Sequence, residues 1–597
     1  MPSISKGVVL DCNSNKTQRG TQRIRRDPLP SYVSHMNSAR RSVGPGWGMS
    51  TGEPSLGPLA RGYYPGLRLC SRCRSVDSVS FSILLLDSHS LNNVFYPTEP
   101  LDDVLTFLIT IGSPALAIYS LQITHLNARW ITKEFLDVSY PNSKLIPTVL
   151  SAFHHIPIKI SDRPHLLHSL IILPENDGFW KHLREAAKQT RRWSIPLIMN
   201  FALVIFAVIL TTLDSSYTPD PGDVGYGIVA IWTFLLPLVI GWLRVGCEPE
   251  PNHLRNSLEE ANKKTRVATA QRNRTVYRPL AIEFMEEKDI DSARKDELKT
   301  TPVFNYSRAF VSPLTAELIL GLVKNAAANA EKEIPVGDLT SRGPPAWADD
   351  VGDTISNENR TGTVDQVTVY CTTVLPDLES GSNPITPLDT QLSETTSTTH
   401  PLLPLHDPPV SRNPSRWATG IWKRVALASA LALGLQWGTT GAAVVIHYAT
   451  PPVGLGCRAF SFLMYGVAGT VSFLLFLLSS ILAHMSRPYR GRRDEGDLLR
   501  AWQNAGAIIF LWLGKGIAIA SAMGILLVCV FQTTGAFNNC FCTSTTFDRG
   551  TKSVWIPVIN WVVGPTVIGV WIGGLAMAFS AASLFGFSMY LGTPPRR

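Results

Sequence analysis

The chain has 597 residues, 45% of them hydrophobic, and a formal net charge of +8. That length and apolar content allow a large helical bundle plus soluble parts. The cationic excess has no basic-aromatic motif beside it, so nucleic acid is not an expected partner.

Residues 1–100 carry scattered Ser, Gly, Pro and Arg without sustained periodicity and read as a mostly disordered tail. Met1–Asp11 lacks the apolar core of a signal peptide, and Phe81–Leu86 is too short to supply one. Cys70 and Cys73 form a single CxxC, which cannot complete a structural zinc site alone.

Seven apolar stretches follow. A bilayer core needs about 20 mostly apolar residues per helix, because each backbone N–H and C=O must be satisfied within the segment. Val104–Ile123, Ser194–Leu213, Val224–Leu243, Val425–Tyr448, Ala459–Ala483, Gly516–Ala536 and Thr566–Phe587 meet this requirement. The last belongs to an uncharged run from Ser553 to Pro595, which Pro565 is expected to break. Trp130, Trp193, Trp242, Trp422, Trp512 and Trp555 lie near the ends, where interface anchors belong. The expected fold is an all-α membrane protein of about seven transmembrane helices, with a membrane region over 101–245 and another over 425–597.

Basic residues set the expected orientation, since Lys and Arg are retained on the cytoplasmic side. The loop Asp214–Asp223 has no Lys or Arg, whereas Lys181, Arg184, Lys188, Arg191 and Arg192 precede the second span. Arg487, Arg490, Arg492, Arg493 and Arg500 follow the fifth, and the chain ends Arg596-Arg597. An outside N-terminus and a cytoplasmic C-terminus fit this pattern. The stretch Trp180–Trp193 reads as a basic helix able to lie on an anionic leaflet, or as an ordinary solvated one.

Residues 246–424 form a long cytoplasmic insert between spans three and four. Ser312-Pro313 reads as a helix start, with Leu318, Ile319, Leu322 and Val323 on one apolar face. From 335 to 415 the composition turns to Thr, Ser, Pro and Gly, too poor in apolar residues to repay the entropy of folding, and disorder is expected. Asn273, Asn305 and Asn359 head glycosylation motifs that a cytoplasmic insert would leave bare.

Polar groups within the spans are the candidate sites. Lys515 precedes the sixth span and reads as its cytoplasmic end, with the ammonium snorkelling to the headgroups; a longer span would place it inside. Gln436 and Asn200 can bond across helices. Gly434 with Gly438, and Gly569 with Gly573, form GxxxG pairs suited to close helix packing. Of nine cysteines, Cys457, Cys540 and Cys542 fall near the outer face, and a bridge from Cys457 to one of the other two would tie adjacent outer loops. His154, His155, His165 and His168 crowd one stretch, but Pro157 and Pro164 interrupt it and weaken a metal reading. No GxxxxGK[ST], HExxH or GxSxG is present and no span holds two acids, so neither an enzyme nor a cofactor is expected.

Pro100–Leu108, Gly112–Leu116, His125–Ile131, Ile172–Asp177, Gln436–Ala442 and Gly454–Arg458 together resemble a family of polytopic membrane proteins common in filamentous fungi. The likeness covers roughly residues 95–245 and 415–545. The family has no assigned activity, so the resemblance implies a membrane location and no mechanism. The expected function is that of a non-catalytic, receptor-like or scaffold-like membrane protein with the lipid bilayer as its partner. The alternative is a transporter or channel using polar groups of spans four to six.

Overall fold

A computed structural model describes residues 100–188, 225–245, 251–271, 275–277, 280–286, 292–299, 304–339, 357–375, 415–450, 453–487, 497–533 and 565–590, with a few isolated positions between them. The expected second span, Asn200, Cys540, Cys542 and the tail before residue 100 lie outside these residues.

The first expected span is two helices, α1 (Pro100–Gly112) and α2 (Pro114–Phe135), bent by 98° at Ser113. Proline explains the break, because Pro114 donates no N–H and its ring disfavours helical geometry at the preceding residue. Ser113 accordingly has φ −140° and ψ 74°. Helix α2 then runs out of the bundle, burying Ile131 and Phe135 in the core of the insert.

Between α2 and the next apolar helices lie α3 (Ile146–Phe153), strand β1 (Ile158–Ile160), α4 (Pro164–Ile172) and α5 (Asp177–Lys188). The basic helix expected at Trp180 corresponds to α5. It does not lie on a leaflet: Phe179, Trp180 and Leu183 are buried in the insert core, so its apolar face is already covered.

The third expected span is also broken. Helices α6 (Gly225–Trp232) and α7 (Leu235–Val245) replace one rod, and the apolar part, Gly227–Trp242, is shorter than a spanning helix. Trp242, expected as an interface anchor, is instead buried in the bundle core.

The insert contributes α8 (Pro251–Lys263), β2 (Arg266–Ala268), β3 (Thr275–Tyr277), β4 (Ile282–Phe284), α9 (Lys295–Lys299), α10 (Val311–Glu331) and α11 (Val364–Thr372). The strands form two antiparallel pairs, β1 with β4 and β2 with β3. The β1–β4 pair matches Ile158 with Phe284 and Ile160 with Ile282, fastening the chain before α4 to the insert.

Helix α10 begins one residue before the expected Ser312 cap, and no side chain caps it. Ile319, Leu322 and Val323 are buried as the pattern predicts, whereas Leu318 is exposed. Asn305–Glu331 is long and apolar enough to cross a membrane. The buried face of α10, however, packs into the insert core, whereas Tyr306, Ala309 and Phe310 before it pack into the bundle core; Asn325 and Asn329 donate to the carbonyls of Cys371 and Tyr370.

Disorder was expected throughout 335–415, and 357–375 departs from it. Thr363 and Gln366 form a reciprocal capping box at the start of α11, and Val367, Tyr370 and Cys371 are buried. Three apolar residues on one face sufficed to dock a short helix in a stretch whose average composition is polar. Arg360 reinforces it, with two hydrogen bonds of 2.8 and 2.7 Å to Asp177.

Four long helices complete the bundle: α12 (Ile421–Ala449), α13 (Cys457–Met485), α14 (Asp497–Thr533) and α15 (Pro565–Tyr590). Each is long and apolar enough to cross a membrane; with Asn305–Glu331 they make five such helices among the described residues, or six if the bent α1–α2 pair counts as one span. Exposed Val467, Val471, Leu474 and Leu478 line the outer side of α13, an apolar surface suited to lipid. The chain is thus a mostly helical membrane protein, and the described residues do not establish seven straight spans.

The sixth expected span, 516–536, is the second half of α14. The helix starts at Asp497, so it is 37 residues long, and Lys515 is an interior residue of the helix rather than its end.

Candidate functional site

Two polar centres occupy the described bundle. The first surrounds the α1–α2 break. A broken helix frees backbone groups that hydrocarbon cannot satisfy, so protein groups must meet them. Gln436 of α12 accepts from the Ala115 N–H at 3.1 Å through its carbonyl oxygen, and its amide donates to the Gly466 carbonyl at 2.8 Å. The Ser113 hydroxyl donates to the Gly469 carbonyl at 3.1 Å, and the Tyr465 hydroxyl to that of Ile111 at 2.6 Å. Gln436 thereby caps, from another helix, the first free donor of α2.

Glycines allow this close approach. A Cβ on Gly112 would lie 1.8 Å from the Ala518 carbonyl oxygen, so α1 and α14 touch backbone to backbone there. Gly438 packs against the Ala581 side chain, whose Cβ would lie 2.4 Å from a Cβ added there. Its GxxxG partner Gly434 faces open space, as do Gly569 and Gly573. Those three therefore do not serve the packing expected of them; Gly574, one position on, packs against Ile446 instead.

The second centre joins the insert to the bundle. Helix α9 carries adjacent acids, Asp296 and Glu297, both buried. Lys515 of α14 donates to Asp296 at 2.6 Å, and the Tyr306 hydroxyl donates to the other oxygen of the same carboxylate. Arg487, just past α13, reaches both Glu297 oxygens at 2.6 Å through a single nitrogen, Nη2. Arg294 reaches the same carboxylate at 3.4 and 3.3 Å. Burial alone would raise the Glu297 carboxyl, but Arg487 and Arg294 beside it outweigh burial and hold it below the ordinary carboxylate range.

A hydrogen-bonded layer extends from this cluster. Arg308 donates to the Glu297 carbonyl at 2.8 Å and to the Asn305 side chain at 3.1 Å. Asn305 contacts Thr124 of α2 and the His155 ring. Asn127 of α2 contacts the His154 ring at 3.2 Å and accepts from Arg424 of α12 at 2.9 Å. The Arg424 guanidinium also lies 4.4 Å over the Trp130 ring. Burial, then the nearby His155 and Arg308, push His154 down to about 3, so this imidazole is neutral at ordinary pH.

The candidate residues thus divide. Gln436 and Lys515 are each at the centre of a polar cluster. His154 and His155 lie in the layer, while His168 contacts Thr368 in the insert; no group of metal-holding residues occurs among the described residues. Cys457 is disulfide-bonded, and Cys371 is a buried thiol in the insert core. Asn305 and Asn359, which head two of the acceptor motifs, are buried in the fold. Asp296, Glu297, Arg294, Arg308 and Arg487 were missed, because a charged stretch such as Arg294–Glu297 reads locally like any solvated helix.

No protein-family model, curated protein or solved structure matches this chain.

Proposed function

We propose that this is an integral, multi-pass membrane protein of non-catalytic kind, receptor-like or scaffold-like, in which the bundle and the cytoplasmic insert act as one coupled unit. Its N-terminus faces outside and its kinship lies with the fungal polytopic family it resembles. The reading rests on one observation, the Lys515–Asp296 pair. Lys515, a charged residue of the bundle that a transport path could use, is turned toward the insert and neutralised by it. Gln436 is likewise engaged at both ends of its amide.

The second reading, a transporter or channel, draws on the α1–α2 break. Interrupted helices at bundle depth often border substrate sites in transporters.

Reconstitution in vesicles separates the two. The coupled, non-transporting reading expects no ion or small-solute flux above empty vesicles. It also expects Lys515→Met to speed amide exchange in residues 295–299 and 305–310 of the insert. Flux that disappears in Lys515→Met would replace it with the transport reading.

A further inference from the structure

The Glu297 carboxylate takes four contacts on its two oxygens, which fills its accepting capacity, and a donor of the surrounding guanidiniums is still left over. Two guanidiniums, from Arg294 and Arg487, share its two oxygens. Arg487 uses one nitrogen for both contacts, and its Nε is buried without a hydrogen-bond partner. An arginine fork paired with an ideal anion would use two nitrogens in parallel. Lys515, bound to the adjacent Asp296, adds a third cation from a second long helix.

These cations stand at the margin of the bundle. The side chains of Arg294, Arg487 and Lys515 are 11, 19 and 18% exposed, and Lys515 is flanked on α14 by the exposed apolar residues Trp512 and Leu513. Basic pockets between membrane helices on the cytoplasmic side are where phosphorylated headgroups bind. A phosphate monoester offers three terminal oxygens where a carboxylate offers two, and so has an acceptor for the Arg487 Nε that Glu297 leaves unpaired.

We infer that Arg294, Arg487 and Lys515 form a site for a phosphate monoester, the headgroup of an anionic lipid, and that Asp296 and Glu297 of α9 occupy it as an internal competitor. Lipid phosphate entering the site displaces the two carboxylates and loosens α9 from the bundle. This names a ligand class for the receptor-like reading and rests on the docked insert described there. Flux in vesicles would remove that reading, whereas the site is judged by lipid affinity alone.

The test measures binding of phosphatidic acid, against phosphatidylcholine, to the full chain in detergent. Asp296→Asn combined with Glu297→Gln removes the competitor and should tighten binding about tenfold, the scale of one charge-assisted hydrogen bond. Arg294→Gln combined with Arg487→Gln should weaken it by about the same factor. A variant that merely failed to fold would not bind more tightly, so the gain separates competition from damage. Unchanged affinity in either double variant would overturn the proposal. Inorganic phosphate is the parallel arm: no displacement of phosphatidic acid supports the lipid, and full displacement at equal concentration overturns it in favour of a soluble phosphate ester.

Discussion

Lys515 and Asp296 are 219 positions apart in sequence and 2.6 Å apart in space. A lysine from the interior of a long apolar helix thus meets an acid from the insert, and each offsets part of the cost of burying the other. Breaking a buried pair from one side costs about 3–5 kcal/mol, because the remaining charge is left uncompensated. Lys515→Met should therefore destabilise the protein by that order, and adding Asp296→Leu should restore most of the loss. Thermal unfolding in detergent over the four-member cycle checks this; additive losses would mean that the pair is not coupled.

Gln436 serves three partners, the Ala115 N–H, the Gly466 carbonyl and the Thr470 hydroxyl. Gln436→Leu leaves the buried Ala115 N–H unsatisfied, at a cost of about 1–3 kcal/mol, whereas the Gly466 carbonyl keeps the Thr470 hydroxyl. Amide exchange at Ala115 should rise in this variant. Unchanged exchange there would show that the break does not need the cap.

Glycine substitutions should divide by position. Gly112→Ala drives a methyl into the Ala518 carbonyl and should cost about 1–3 kcal/mol or more, since backbone must move. Gly569→Ala and Gly573→Ala meet nothing within 4 Å and should be neutral or stabilising by up to about 1 kcal/mol, the helix-propensity gain. Melting temperatures of the three variants decide between the two outcomes.

Acid should loosen the insert in two stages. His154 is pushed down to about 3 and His168 to about 4, each chiefly by burial, from an ordinary 6.5. Between 6.5 and those values only the unfolded chain binds the proton, so stability falls as pH falls, by about 1.4 kcal/mol per pH unit for each group. Glu297 is held below its ordinary 4.5; its contribution is present above that pH and is lost as pH falls through the depressed value. Proteolysis of the insert from pH 7 to 3 should accelerate below 6.5, and less steeply in His154→Gln.

Orientation can be read from acceptors placed on loops of opposite expected side. Asp137→Asn creates an acceptor with Ser139 on the insert side and should remain bare. Val453→Asn with Leu455→Thr creates one between α12 and α13 and should be glycosylated. The reverse pattern would invert the topology.

Residue order alone was enough to indicate a helical membrane protein. A long run of apolar residues is a local property, and its consequence in hydrocarbon depends on little beyond the run itself. Ile421–Ala449, Cys457–Met485 and Pro565–Tyr590 accordingly fall within a few residues of their expected bounds. Pro114 made the α1–α2 break locally readable too, although average hydropathy concealed it. The depth of Lys515, the burial of Asp296 and Glu297, the cap that Gln436 provides and the docking of α11 were decided only by tertiary structure. Each depends on a partner dozens to hundreds of residues away. A charge costs free energy or stabilises according to what the fold places beside it, and the local sequence does not contain that information.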